Sequence, residues 1–426
     1  MKKLSYIIAV LLVGSFLACT DYISTAPGEP EGPWNPGPLT AYSVTPINGG
    51  ATITYTIPND PDIMYVMAEY ERNGKIFTEK SSVHKNSITI EGFHRVDRVK
   101  ATLYKVNKFE QRSEPLEVEF EPLESIIDIS MESLEMMPGF GGIVAIWDNP
   151  VGTELGVRLM TLDDSLFHEL VTREVYYSTM VRETHSFRGH EAKETTFALS
   201  FEDKWGNISD TVQLTTTPFF ETMVPKPYAD FRGSIPFDNT TNLSGRSTST
   251  LWDNIVNTSS HGWLTNPGGS GLSITIDMKQ VVKLSRIIHH FYHLNSPYGQ
   301  VNITAMEIWG TNKIDFNLLQ NRAYWLDSLS LVTGHILNED PTQPLPDRTF
   351  KDDWQYLGYH EVPYYTVASD IQALCANGAE YEIPFNAAPV RYIRIFVREI
   401  ARSMRSDNYF SMGEISFFGD NTVPQE

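Results

Sequence analysis

Cysteine is almost absent from this chain of 426 residues, which has only Cys19 and Cys375. A framework of several disulfides is therefore excluded, and the stability of each domain must come from buried apolar side chains. Cys375 lies in an apolar stretch without an activating neighbour. This setting predicts a small buried side chain and argues against a catalytic thiol.

Basic side chains are scarce relative to acidic ones. The chain has 33 Lys and Arg against 53 Asp and Glu, and its formal net charge is −20. Nucleic acids and anionic membrane surfaces are bound chiefly through Lys and Arg. The net charge therefore argues against both kinds of partner. The length of the chain allows two to four domains, each with its own core.

The apolar run at the N-terminus is too short for a membrane anchor. It extends from Leu4 to Leu17, whereas a hydrocarbon core of about 30 Å needs about 20 apolar residues. The run therefore predicts a secretory signal peptide over residues 1–18. Ala18 directly before Cys19 resembles the bacterial lipoprotein cleavage site, which implies that Cys19 becomes the lipidated N-terminus. The alternative is a plain signal peptide with an incidental cysteine.

Prolines recur at every third position after this cysteine, at Pro27, Pro30, Pro33 and Pro36. Three residues is the period of the polyproline II helix. Residues 19–38 are therefore predicted to form a stiff spacer that holds the first domain away from a membrane.

Alternating apolar and polar residues begin at Leu39 and are typical of β-strands. Asn73-Gly74 between two such runs predicts a hairpin with a type I′ turn. The pattern then repeats, because Lys108-Phe109 returns 96 residues later as Lys204-Trp205. Tandem immunoglobulin-like sandwiches are therefore predicted over residues 39–122 and 123–220. Chance similarity between two β-rich segments is the alternative.

A proline-rich break separates these modules from residues 221–426, which have a different pattern. The segment Tyr392–Arg398 alternates cleanly. Ile393 and Ile395 are expected to face a core, and Arg394 and Arg398 are expected to face outward.

Several segments resemble a known class of proteins. Tyr55–Asp60 and Asp203–Asp210 are similar to the fibronectin type III-like pair of Bacteroidota surface lipoproteins. Such proteins are typically encoded in polysaccharide-utilisation loci and usually end in a discoidin-like domain. Four later segments resemble that discoidin-like (coagulation-factor type C, galactose-binding-like) domain in their order: Leu251–Thr258, Ser273–Met278, Met306–Trp309 and Arg391–Gly419. The resemblance implies an all-β chain of two tandem immunoglobulin/fibronectin III-like sandwiches followed by a discoidin-like β jelly roll.

The resemblance also implies a structural calcium ion where the early loop of the jelly roll meets its last strand. By position, Asp253, Thr258 and Glu414 inherit the roles of ligands, together with backbone carbonyls. Calcium takes six to eight oxygen ligands, and Ile255 supplies none where the family usually has Asp or Asn. The alternative is a metal-free loop held by hydrogen bonds.

Ligands of this fold are held by loops at one end of the barrel. A sugar ring presents a C–H face that stacks on aromatic rings, and its hydroxyls need fixed donors and acceptors. The loop after Phe291 and a long insertion over about 316–351 supply such groups, and Tyr364 and Tyr365 follow the insertion. The predicted ligand-binding residues are Tyr292, His293, Asn295, Tyr298, Trp325 and Trp354.

No constellation in the sequence predicts catalysis. His289 and His290 would point to opposite faces of a strand, which argues against zinc. The chain is therefore expected to be a non-catalytic lipoprotein of the outer membrane that faces the cell exterior. There it would capture a polysaccharide for a neighbouring import and degradation system. The alternatives are an adhesin or importer-docking protein that binds a protein partner and, less favoured, a jelly-roll glycosidase whose paired carboxyls are not evident from sequence.

Overall fold

The computed structural model describes residues 32–163, 169–243, 245–256, 261–266, 271–292, 297–299, 301–332, 340, 342–401 and 409–425. This part of the chain is built almost entirely from antiparallel β-sheets, which confirms the predicted fold class. It forms two compact units. The first contains residues up to 136, 145–185 and 196–214, and the second contains 137–144, 186–195 and the chain from 215 onward. None of the helices within these described ranges is long and apolar enough to cross a bilayer.

The first module is a sandwich of a three-stranded and a four-stranded sheet, in the orders β1-β2-β5 and β4-β3-β6-β7. Its strands are β1 Thr40–Ile47, β2 Gly50–Thr56, β3 Ile63–Arg72, β4 Lys75–Ser82, β5 Ser87–Glu91, β6 Val99–Asn107 and β7 Leu116–Phe120. Alternate residues of both sheets, such as Ile53, Val66 and Leu103, meet in one buried core. The predicted hairpin is confirmed, since Asn73 and Gly74 have φ of 50° and 74°, as a type I′ turn requires.

The second module has the same strand order, with sheets β12-β9-β8 and β11-β10-β13-β14. Helix α1, Ile126–Glu132, precedes it. Its strands are β8 Glu135–Gly139, β9 Gly142–Asp148, β10 Leu155–Asp163, β11 Glu169–Ser178, β12 Arg182–Phe187, β13 Thr195–Asp203 and β14 Val212–Thr216. The matching order confirms that the two modules are copies of one architecture.

One turn recurs in both modules. Asn107 Oδ1 accepts hydrogen bonds from the backbone amides two and four residues further along, at 2.9 and 3.0 Å. Asp203 Oδ1 accepts the equivalent bonds in the second module at the same distances. The fourth residue of each turn has positive φ, 61° at Glu110 and 82° at Gly206. Asn and Asp favour this turn because their short side chains reach their own backbone.

The C-terminal domain is a jelly roll centred on one long strand, β18. Its strands are β15 Thr222–Met223, β16 Ala229–Asp230, β17 Trp263–Leu264, β18 Ser273–His289, β19 Ile303–Thr311, β20 Gln355–Glu361, β21 Ala379–Glu382, β22 Val390–Ile400, β23 Ser411–Met412 and β24 Ile415–Asp420. Two short helices follow β19 and β20, α2 Ser328–Val332 and α3 Ala368–Asn377. Residues 273–277 of β18 pair with β22, and residues 283–289 pair with β24. The long strand therefore joins the two sheets that enclose the main core.

The insertion between β19 and β20 packs on the outer face of the β22 sheet and forms a second core. This core contains Ile235, Phe237, Ile314, Tyr324, Trp325, Leu326, Phe350, Trp354, Tyr392 and Phe396. Arg394 and Arg398 project away from the main core, as the alternation predicts, but the insertion covers them and both are buried. The prediction that these two side chains point away from the main core is therefore confirmed. The prediction that they face outward to solvent is wrong, because the insertion buries them.

Candidate functional site

Several strands of the jelly roll end or begin at the same edge. His289, the last residue of β18, is in register with both Ala379 of β21 and Ile415 of β24. The segment that follows β20 joins this edge through helix α3, which leads directly into β21. Loops at this edge are therefore held by rigid strands, the usual arrangement for a binding site.

A cleft of about 420 Å³ opens at this edge. Its walls come from the segment after β20, from helix α3 and from the start of β21. The lining residues are Pro363, Tyr365, Asp370, Ala373, Leu374, Asn377, Gly378, Ala379 and Glu380. A volume of this size is within the range of small-ligand sites.

Tyr298 fixes the aromatic wall of the cleft. Its hydroxyl donates to the carbonyl of Pro363 at 2.6 Å and accepts from the backbone amide of Tyr365 at 2.8 Å. Its ring lies 4.8 Å from the ring of Tyr364. Burial raises the pKa of Tyr298, so the phenol stays protonated and keeps donating at neutral pH. One side chain thus holds two neighbouring tyrosines in place.

These two tyrosines are open to solvent. Tyr364 is 76% exposed and Tyr365 is 40% exposed. Exposed aromatic rings that are held rigidly cost little entropy on binding and can stack on the C–H face of a sugar. The polar groups needed for hydroxyls stand on the other walls, at Asp370, Asn377 and Glu380.

The polar walls of the cleft are also fixed by contacts. Glu380 accepts from Arg286 at 2.7 Å, which holds its carboxylate in one orientation. Gly378 connects helix α3 to β21 with φ of 79°. A Cβ at this position would lie 2.8 Å from Ile288 Cγ2 and 3.0 Å from the carbonyl oxygen of His289, so a larger residue would displace the wall.

Three histidines lie behind this edge, of which His289 is buried and His290 and His360 are half-buried. Both ring nitrogens of His289, Nδ1 of His290 and Nε2 of His360 have no hydrogen-bond partner among the described residues. Burial lowers the pKa of His289 to about 3, and it also lowers the pKa of His290 and of His360. The histidines are therefore neutral at physiological pH, because protonation would place unpaired charge in the interior.

Among the predicted ligand-binding residues, Tyr298 is the one that the described structure places beside the cleft. Trp325 and Trp354 are 1% and 4% exposed and lie in the second core. Trp325 donates its indole N–H to the carbonyl of Leu318 at 2.9 Å. Neither ring has a free face for a ligand, so their assignment as ligand contacts is corrected to packing.

The remaining predicted contacts are in the loop after β18. Tyr292 is buried, and the guanidinium of Arg246 lies 5.5 Å from its ring centre. His293 and Asn295 lie outside the described residues, as does the predicted lipidation site Cys19. Cys375 is a free, buried thiol in helix α3, as predicted.

Three of the four carboxylate oxygens of Glu414 and Asp253 already have other partners. Glu414 accepts from the Lys226 ammonium and from the backbone amide of Asn254, the latter at 3.1 Å. Asp253 accepts from its own loop and lies 2.9 Å from His261 Nε2. Within the described ranges no group of three His, Cys, Asp or Glu could hold a metal, and Thr258 lies outside those ranges. Glu414 Oε2 is buried and has no hydrogen-bond partner among the described residues.

Sequence reasoning missed the polar half of the cleft. Asp370, Asn377 and Glu380 come from a helix and a strand that alternation and turn signals alone do not bring to the edge reached by Tyr298. The one local signal is Asn377-Gly378, which is typical of a helix C-terminus. The long-range pairing of β21 with β18 completes the site.

Family profiles match three consecutive parts of the chain. Residues 36–122 match a family described as Domain of unknown function (DUF4959), and residues 123–227 match one described as Domain of unknown function (DUF5126). Residues 252–419 match a third family, also described as a Domain of unknown function. No curated protein matches the chain.

Several solved structures are similar to parts of this chain. A SusE-like protein is 20% identical, with a TM-score of 0.36 over 68% of this chain and 97% of its own. The family 32 carbohydrate-binding module of Clostridium perfringens NanJ, in complex with galactose, is 14% identical, with a TM-score of 0.25 over 46% of this chain and 98% of its own. A two-domain fibronectin type III segment of chicken tenascin is 9% identical, with a TM-score of 0.20 over 42% of this chain and 98% of its own. At such identities and TM-scores, the function has to be argued from the site itself.

Proposed function

We propose that this chain is a non-catalytic, cell-surface glycan-binding lipoprotein that captures a polysaccharide for a neighbouring import and degradation system. The observation that carries the proposal is the cleft at the edge of the jelly roll. There the partly exposed ring of Tyr365 and the polar side chains of Asp370, Asn377 and Glu380 line one cavity. This combination matches a sugar ring, which has one apolar face and a rim of hydroxyls.

The remaining parts of the proposal rest on the sequence. The apolar run before Cys19 and the proline-rich spacer support a lipid anchor in the outer membrane, with the domains held outward. The fibronectin-like modules then act as a scaffold that carries the binding domain away from the membrane. The formal net charge of −20 favours binding of a neutral glycan over a strongly acidic one, because like charges repel.

Affinity electrophoresis tests the proposal. The chain from residue 20 onward is run through gels that contain plant or host polysaccharides, including pectin and hemicellulose. We expect retardation by at least one glycan and a weaker effect for Tyr365→Ala, since one aromatic contact is worth about 0.5–1.5 kcal/mol, or up to about tenfold in Kd. An assay for released reducing ends in the same samples should stay blank, and product formation would replace the capture proposal with a glycosidase.

Two matched variants make the result specific. Tyr177 of the first unit is 59% exposed and lies outside the cleft, so Tyr177→Ala should leave retardation unchanged. Trp325→Ala should lower the melting temperature, because it removes a buried ring. If Tyr177→Ala weakens retardation as much as Tyr365→Ala does, the binding site is not this cleft.

One observation favours the alternative of a protein partner. Val151, Met180 and Val181 are each more than half exposed, and they occupy two adjoining loops of the second module. Asn149 donates its backbone N–H to the carbonyl of Val181 at 2.7 Å, which holds these loops together. If no polysaccharide retards the folded protein, this apolar group becomes the leading binding surface, and Val181→Asp is the variant with which to test docking to a protein.

A further inference from the structure

A buried lysine stands beside the carboxylate that the discoidin-like resemblance assigns to calcium. Glu414 lies in the short link between β23 and β24, and its side chain is 2% exposed. The side chain of Lys226, from the segment before β16, is 4% exposed, and its ammonium contacts Glu414 Oε1. The same ammonium donates to Ser416 Oγ at 2.9 Å.

A carboxylate this deeply buried needs a compensating charge. Transfer of an unpaired carboxylate from water into the interior costs several kcal/mol, which a cation at hydrogen-bonding distance offsets. The Lys226 ammonium supplies one positive charge and two hydrogen bonds at this position. The backbone amide of Asn254 also donates to Glu414 Oε1, at 3.1 Å, so this oxygen has two polar contacts.

The neighbouring groups are arranged for this lysine and not for a divalent ion. A calcium ion at Glu414 Oε1 would stand next to the ammonium, and two cations at one oxygen repel each other. Asp253 is turned toward His261 and its own loop, and Ile255 offers no oxygen from its side chain. Of the oxygens of Glu414 and Asp253, only Glu414 Oε2 lacks a partner among the described residues, whereas calcium requires about six to eight oxygens.

We infer that Lys226 acts as a tethered cation that replaces calcium in this domain. A positive charge that belongs to the chain then compensates Glu414, so folding is independent of calcium supply. The link is long in sequence, since it joins residues 188 positions apart, and it fastens the segment that enters the domain to its closing strand.

Thermal unfolding of the purified protein tests this inference. We expect the melting temperature of the unaltered protein to be the same in excess EDTA and in millimolar CaCl2. Lys226→Met removes the charge and keeps most of the volume, and it should lower the melting temperature by roughly 10 °C, because it leaves Glu414 buried and unpaired. Lys226→Ala should also unfold earlier and should regain part of the loss in CaCl2, because it leaves room beside two carboxylate oxygens.

Lys283→Ala is the matched control. This lysine belongs to the same domain, and its ammonium donates to the carbonyl oxygens of Phe385 and Ala387 and not to a carboxylate. Its loss should not create a response to calcium. The inference is overturned if EDTA lowers the melting temperature of the unaltered protein, or if Lys226→Met unfolds at the unaltered temperature.

Discussion

The first module and the C-terminal domain place their ion pairs in opposite environments. In the first module, Arg98 and Lys100 contact Glu119 at the surface, at 3.5 and 2.9 Å. In the C-terminal domain, Arg394 contacts Asp238 at 2.6 Å, and neither side chain has any exposed surface. A surface pair contributes about 0–1 kcal/mol, whereas removal of one partner from a buried pair costs about 3–5 kcal/mol. The same interaction is therefore nearly dispensable in one region and decisive in the other.

The difference follows from what each region has to hold together. The first module closes one apolar core between two sheets, and the side chains of the pairs that Arg98 and Lys100 form with Glu119 remain in contact with water. The C-terminal domain also holds an insertion against the outer face of a sheet, which buries Arg394 and Arg398. Arg398 contacts Glu307 at 2.6 Å and Asp327 of the insertion at 3.0 Å. Buried charges with defined partners thus fix the position of the insertion.

The largest expected effect comes from breaking the buried pair. Arg394→Met should lower the free energy of unfolding by about 3–5 kcal/mol, because it leaves Asp238 buried without its cation and removes a guanidinium 5.0 Å from the ring centre of Trp325. Arg98→Ala in the first module should change it by less than about 1 kcal/mol. Urea unfolding measures both values.

A double variant tests whether the uncompensated charge of Asp238 causes the loss of stability. Arg394→Met combined with Asp238→Asn should recover part of the loss, since no uncompensated charge remains. Equal losses for Arg394→Met and Arg98→Ala would show that burial does not separate the two regions.

Acid should destabilise the C-terminal domain through His289, His290 and His360. Because burial lowers the pKa of His289 to about 3, the unfolded chain binds a proton between about pH 6.5 and pH 3 that the folded chain does not bind. Stability is therefore complete above pH 6.5 and falls by up to about 1.4 kcal/mol per pH unit for this histidine as the pH decreases. His290 and His360 act in the same direction.

Hydrogen exchange between pH 7 and pH 4.5, corrected for intrinsic rates, measures this effect by region. Peptides from β18 and β20 should lose protection before peptides from β3 and β6 of the first module. His289→Phe should reduce the dependence on pH. If protection of the two regions falls in parallel, the histidines are not the cause.

The sequence predicts orientation along a strand but not what later covers it. Alternation places Ile393 and Ile395 in the core and Arg394 on the opposite face, and the structure agrees. The alternation of residues does not show whether that face contacts water or a segment that comes earlier in the chain. For this reason the prediction that Trp325 contacts a ligand is wrong. Its ring packs close to Arg394 in the second core.

The candidate site also combines a residue that the sequence predicts with contacts that it does not. Tyr298 could be predicted because an aromatic residue in a loop after a strand is a local pattern. Its actual role, which is to hold the backbone at Pro363 and Tyr365, depends on a contact across 65 and 67 positions. The Lys226–Glu414 contact is longer still. Such contacts follow from topology, and a single sequence does not specify them.

The next effect tests a close approach between a glycine and a side chain within the first unit. Gly92 has φ of 94°, and a Cβ there would lie 2.8 Å from Cγ of Trp205 in the second module. Gly92→Ala should therefore cost about 2–3 kcal/mol, from backbone strain and overpacking together. Gly74→Ala is the control, since its φ is 74° but nothing lies within 4 Å of the added Cβ. Equal losses of stability in urea would show that Trp205 does not limit the space at Gly92.

The smallest effect compares the two copies of the recurrent turn. Gly206 has φ of 82° with open space around a Cβ, so Gly206→Ala should cost about 1 kcal/mol of backbone strain and nothing more. In the first module, the equivalent position is Glu110, which already bears a side chain at positive φ. Its carboxylate accepts a hydrogen bond from the Tyr65 hydroxyl. Glu110→Gly removes the strain together with that contact, and the change in the free energy of unfolding should lie within about 0.5 kcal/mol. A clear gain in stability for Glu110→Gly would mean that the contact to Tyr65 contributes little. A clear loss would mean that the first copy of the turn depends on a side chain where the second depends on glycine.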